Sequence, residues 1–138
     1  MELIEKISCK EPGTHCVLVK DSWQVVKLNS SEANNIDNLR SLYINKNGGL
    51  AISLLLGRAL LIVDDGKGAS TSLKMVRMVR GTSYYLTENV AYHIVMEEGS
   101  ELFGVGSPDV SAIEMDAKTL DGKEIERIKK KVNKELKN

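Results

Sequence analysis

The 138-residue chain holds two histidines and two cysteines, the side chains best suited to acid–base, nucleophilic or metal chemistry near neutral pH. Cys9, His15 and Cys16 form a partial zinc set. Their spacing matches no zinc signature and a fourth ligand is missing, so the two cysteines read as small residues near the start of the chain. His93 stands apart. General acid–base work there needs a second titratable group, and the acids nearest in sequence, Glu88, Glu97 and Glu98, fall in expected loops. Neither cysteine has a base partner visible in the sequence, and no glycine-rich phosphate loop followed by Lys-Ser or Lys-Thr occurs. Gly104-Val105-Gly106 lacks the third glycine and the helix that would complete a dinucleotide site.

The elements that must position these groups fit one domain with one core, given the length and a hydrophobic content of 42%. Nineteen basic and nineteen acidic side chains cancel, leaving no overall field to hold a nucleic acid or an anionic membrane. The longest apolar stretch, Leu50 to Leu56, is interrupted by Ser53 and is far shorter than the ~18 residues of a membrane span. Met1-Glu2-Leu3-Ile4-Glu5-Lys6 carries acids and no apolar signal region, so the expected location is the reducing cytoplasm.

From Trp23 to Val105 short apolar or alternating runs are separated by turn residues, the pattern of an all-β sandwich or barrel. Strands are expected at Trp23 to Leu28, Leu39 to Ile44, Leu50 to Leu56, Ala59 to Val63, Leu73 to Val79, Ser83 to Leu86, Ala91 to Met96 and Glu101 to Val105. Loops rich in Asn, Asp, Ser and Gly join them, at 29–35, 45–49, 64–68 and 97–100. Leu50 to Leu56 is apolar on both faces, which calls for cover by another sheet or by a second subunit, and hence for a homodimer. Tyr84, Tyr85, Met75 and Met78 read as core or rim residues. At the C-terminus, Asp121 with Glu124 forms a capping box, and Ile125, Ile128, Val132 and Leu136 recur at helical spacing. The opposite face carries Lys123, Lys129, Lys130, Lys131, Lys134 and Lys137 interleaved with Glu124, Glu126 and Glu135. That mixture marks a solvated face, with a partner-docking or nucleic-acid helix as the other reading.

The order of Trp23-Gln24-Val25, Tyr43-Ile44-Asn45, Gly57 and Tyr92-His93 resembles the small single-domain cupins. The resemblance runs from about Trp23 to Val105. It implies an all-β, cupin-type jelly-roll or double-stranded β-helix barrel over 1–116, with a C-terminal amphipathic α-helix over 117–138 packed on the barrel or the dimer. Counting back from Gly57, the family's metal-binding Glu falls on Leu50 and its first two His on Asn45 and Tyr43, so only His93 matches a ligand by type. The proline and glycine that usually precede that last His fall on Glu88 and Val90.

Leucine ligates nothing, Asn45 offers a weak neutral oxygen and Tyr43 a protonated phenol. The expectation is therefore a barrel without metal or other cofactor. The family's alternation implies that Tyr43, Asn45, Leu50, Ile52 and His93 point into the interior as a mixed pocket for a small molecule. Other readings give His93 a role as base in an isomerase, lyase or ureidoglycolate-type enzyme, make it a buried and satisfied side chain, or give the barrel a purely structural role. Elemental analysis of tag-free protein should find no stoichiometric iron, nickel, manganese or zinc; any of these near one per chain would overturn the ligand-loss reading.

Overall fold

The computed structural model describes residues 3–45, 48–64, 73–107 and 116–137. Among these residues ten strands precede one helix: β1 (Gly13–Val19), β2 (Gln24–Asn29), β3 (Ser41–Ile44), β4 (Leu50–Leu56), β5 (Ala59–Asp64), β6 (Leu73–Arg77), β7 (Ser83–Leu86), β8 (Ala91–Met96), β9 (Glu101–Gly106), β10 (Asp116–Thr119) and α1 (Gly122–Lys137). Two 3-10 turns, Glu32–Asn34 and Ile36–Asn38, lie between β2 and β3. One antiparallel sheet has the order β1-β2-β9-β4-β7, and the other β10-β3-β8-β5-β6.

Period-two alternation turns Val26, Leu28, Leu50, Ile52, Leu54 and Leu102 of the first sheet toward Leu61, Tyr92, Ile94 and Met96 of the second, forming the core between them. The second sheet is buried on its other face as well. There Leu42, Leu60, Ile62 and Val95 meet Ile128, Val132 and Leu136 of α1. This explains why β8 is buried at all six positions, whereas β4 alternates and ends exposed.

The capping box forms as expected: Glu124 N donates to Asp121 Oδ1 at 2.8 Å, and Asp121 N faces Glu124 Oε1 at 3.5 Å. At the other end, Arg58 donates to the Leu136 carbonyl and Arg77 to the Glu135 carbonyl at 3.0 Å. These contacts satisfy acceptors that a helix leaves open and place cations where its dipole is negative. No described helix is long and apolar enough to cross a membrane.

Two strands were not expected. β1 reads Gly-Thr-His-Cys over its first half and carries a register shift between Cys16 and Leu18, so its alternation is weak. β10, Asp-Ala-Lys-Thr, has no apolar pattern and gains its conformation from the ladder with β3. It carries the sheet to Thr119, three residues past the expected boundary at 116. Leu39 and Arg40 precede β3, and Met78 and Val79 follow β6, outside the strands expected to contain them. The expected loop at 64–68 lies outside the described residues after Asp64, as do residues 46 and 47 of the loop at 45–49.

Gly57 turns β4 into β5 at φ +83°, and a Cβ there would lie 2.4 Å from Ser100 Oγ and 2.8 Å from Ser100 Cα. Ser100 is buried; its hydroxyl donates to the Arg58 carbonyl at 2.8 Å and accepts from Arg58 N at 2.9 Å. Its own carbonyl accepts from Ser30 N at 3.0 Å. Three chain segments therefore close on one another where a side chain has no room. Gly57→Ala is expected to cost roughly 2–5 kcal/mol through left-handed strain plus overpacking, read from urea unfolding against Gly81→Ala, whose site is open.

Candidate functional site

The five residues expected to share a pocket come from β3, β4, β8 and the loop after β3. Leu50 and Ile52 lie in the core between the sheets. His93 does not. It pairs with Ile62 in the β5–β8 ladder, while its neighbours Tyr92 and Ile94 face the inter-sheet core. Alternation places the imidazole on the opposite face, with Ala91, Val95 and Ile62, and this corrects the expectation that it points into the barrel. Tyr92 occupies the inward position instead.

The imidazole remains one of the most buried polar groups, at 5% exposure. Tyr43 is the ladder partner of Tyr92, yet its ring centroid lies 6.0 Å from that of His93 with 29° between planes, and it is 41% exposed. The pair therefore joins a buried imidazole to an accessible aromatic ring. Asn45 is buried just beyond β3, and its carbonyl accepts from Asn89 N at 2.8 Å, with Asn89 at φ 68°.

Burial pushes the His93 pKa from 6.5 down to about 4, so the ring is neutral at pH 7. A neutral imidazole has one donor and one acceptor nitrogen. Nε2 is buried without a hydrogen-bond partner among the described residues, a state that costs about 1–3 kcal/mol. Burial also raises the Tyr92 phenol to about 12, which keeps that inward hydroxyl protonated.

The acids considered from the sequence do not assemble into a base–acid pair with His93. Glu97 meets Arg58 at 3.5 Å, and Glu88 and Glu98 are exposed beside turns. The sequence reading missed Asp64, placed there in a loop. It ends β5 two residues beyond Ile62, on the face that holds His93, and forms an ion pair with Lys118 of β10. Its only sequence signal was an acid directly after a five-residue apolar run.

The residues of the partial zinc set do not converge. His15 Nε2 lies 2.9 Å from the Pro12 carbonyl and 3.2 Å from that of Glu11, Cys16 Sγ is 3.9 Å from the Leu18 carbonyl, and both cysteines are free. Among the described residues no three His, Cys, Asp or Glu side chains converge as metal ligands.

No family model matches the sequence, and no curated protein sequence does. The likeness lies in the fold. An RmlC-like cupin family protein with a double-stranded β-helix fold from Methanocaldococcus jannaschii aligns over 79% of this chain and 94% of its own, at 14% identity and TM-score 0.53. PAC13 from Streptomyces, a nucleoside dehydratase whose structure was determined with uridine, aligns over 83% of this chain and 84% of its own, at 12% identity and TM-score 0.55. Oxalate decarboxylase from Bacillus subtilis aligns over 77% of this chain at 17% identity and TM-score 0.57, and the chain spans only 28% of its length. The chain thus has the cupin fold, a double-stranded β-helix barrel with a C-terminal helix.

The side chains present do not fit the metal that many cupins carry. Leucine stands at the carboxylate position, and the imidazole lies on the far side of its sheet from Leu50. Three or four convergent donors are required, and the inward-facing set does not supply them.

Because His93 has a lower pKa folded than unfolded, the unfolded chain takes up its proton first. Stability is full above pH 6.5 and falls as pH drops toward about 4. The full span is worth about 3 kcal/mol. Urea unfolding at pH 7 and pH 4.5 should show the loss in the wild type and a markedly smaller one in His93→Phe; equal losses would show that His93 is not buried neutral.

Proposed function

We propose that this cupin-fold chain is a metal-free binding protein, which takes a small molecule through the neutral imidazole of His93 beside the ring of Tyr43. The observation that carries the reading is the buried, unpartnered Nε2. A buried nitrogen of this kind is stabilised when a ligand supplies the missing hydrogen bond, and the partly exposed Tyr43 ring offers an apolar surface at the same place. Ligands that match the pair are planar heterocycles with an N–H or C=O edge. A nucleobase is one, and PAC13, aligned over 83% of this chain and 84% of its own, holds uridine.

Binding is favoured over catalysis. An imidazole with a pKa of about 4 is a weak base at neutral pH, and general-base catalysis works best with a pKa near the operating pH. An isomerase or lyase acting through His93 would also need a proton-transfer partner that Glu88, Glu97 and Glu98 do not provide. The free thiols of Cys9 and Cys16 suit a reducing compartment, and we assign the protein to the cytoplasm on that ground.

A thermal-shift series with uridine, the other nucleosides and free nucleobases tests the reading. The wild type should gain several degrees with at least one compound, and His93→Ala and Tyr43→Ala should lose that gain while remaining folded. A gain that survives in His93→Ala would move the site elsewhere, and no gain with any compound would remove nucleobase-like ligands from consideration.

A further inference from the structure

We infer that the solvent side of α1 docks an acidic α-helix of a partner protein, whose carboxylates pair with a row formed by Lys123, Arg127, Lys130 and Lys134. The inference is independent of the ligand reading. Along the sequence the cations of α1 are interleaved with Glu124, Glu126 and Glu135, but packing sorts the two signs in space. Ile128, Val132 and Leu136 are buried against the second sheet, with Ile125 partly buried beside them, and this fixes which side of the helix looks outward. The 3.6-residue period then sets Lys123, Arg127, Lys130 and Lys134 opposite that stripe, all four exposed, and moves the three glutamates to the flanks.

The helix does not need this row for its own stability. Lys123 and Arg127, and likewise Lys130 and Lys134, are four residues apart, and Arg127 and Lys130 are three apart, spacings at which like charges repel. Among the described residues no ion pair reaches any of the four. A helix dipole favours cations in the last turn, yet Lys123 is the second residue of α1, where the dipole opposes it. An anionic partner relieves the repulsion along the row, so the free protein carries a built-in preference for the bound state.

Several features select a narrow acidic helix over a broad polyanion. The row is one residue wide and, at 1.5 Å per residue, about 16 Å long. Nineteen basic and nineteen acidic side chains cancel over the chain, so setting the four cations aside leaves the rest with a net charge of minus four. That remainder repels a nucleic-acid duplex or an anionic bilayer wide enough to reach past the helix. α1 has no aromatic residue on which the bases of a single strand could stack. Its apolar stripe is already buried on the sheet and cannot enter a membrane.

An acidic helix repeats its side chains at the same intervals, so carboxylates at i, i+4, i+7 and i+11 meet all four cations in register. The intervals four, three and four read the same in both directions. The match therefore holds for a partner helix running either way. An open depression lined by Lys123, Arg127 and Lys130 gives a carboxylate a seat between cations.

Fluorescence anisotropy of the full chain with labelled peptides of about 18 residues, long enough to hold a helix, tests this. One peptide carries glutamates at i, i+4, i+7 and i+11 on an alanine and glutamine background, and a second carries the same residues with the glutamates spread around the helix. The wild type in low salt should bind the aligned peptide roughly tenfold tighter than the scrambled one, and the double variant Arg127→Glu/Lys130→Glu should lose roughly tenfold for the aligned peptide with an unchanged circular dichroism spectrum. The double variant Lys6→Glu/Lys20→Glu, which changes the net charge equally at exposed positions elsewhere, should bind as the wild type does. No binding of the aligned peptide, equal binding of both peptides, an equal loss in the Lys6/Lys20 variant, or tighter binding of oligouridylate or phosphatidylserine vesicles than of the aligned peptide overturns the proposal.

Discussion

Strand β8 is the constraint from which the rest of the architecture follows. It lies inside the second sheet between β3 and β5, and both its faces are covered, one by the opposing sheet and the other by α1 and the segment before β3. Every side chain on it must therefore satisfy a dry environment, and strict alternation decides which one. Tyr92, Ile94 and Met96 serve the barrel, while Ala91, His93 and Val95 lie beneath the helix side. The imidazole on the second of these faces is held neutral by burial and lies outside the core between the sheets.

The helix holds that arrangement in place. Its apolar stripe closes the outer face of the second sheet, and Arg58 and Arg77 reach from β5 and β6, or the turn before them, to its last carbonyls. Arg58 also takes part in the closure around Ser100, where the turns after β4 and β8 meet the end of β2. The helix is thus tied to the same point that fixes the Gly57 turn. Packing on one face of the sheet and hydrogen bonding at its end are coupled through one arginine.

Much of this could be read from the sequence because it depends on local pattern. β4, β7 and β8 begin and end at the expected residues, and the capping box and the four apolar positions of α1 all take their predicted places. What failed was information that local pattern does not hold. β10 exists because β3 offers it a ladder, not because Asp-Ala-Lys-Thr favours a strand. The phase of β8 was hidden for a related reason. Ala-Tyr-His-Ile-Val-Met has no polar–apolar alternation to show which residues face inward, precisely the feature that burial on both sides removes. Leu50 and Ile52 face the core between the sheets because β4 has one open face and its alternation survives.

The order of the first sheet sets terms for how the chain is made. β9 is hydrogen-bonded between β2 and β4, so each of those strands, paired on its other side with β1 or β7, keeps one open edge until residue 106 has left the ribosome. For most of synthesis Val25 and Leu50 to Leu56 belong to bare strand edges, which are templates for wrong pairing. Closure comes late and between distant parts of the sequence, a pattern that slows folding. The nascent chain thus exposes the most unpaired strand edge just before β9 emerges.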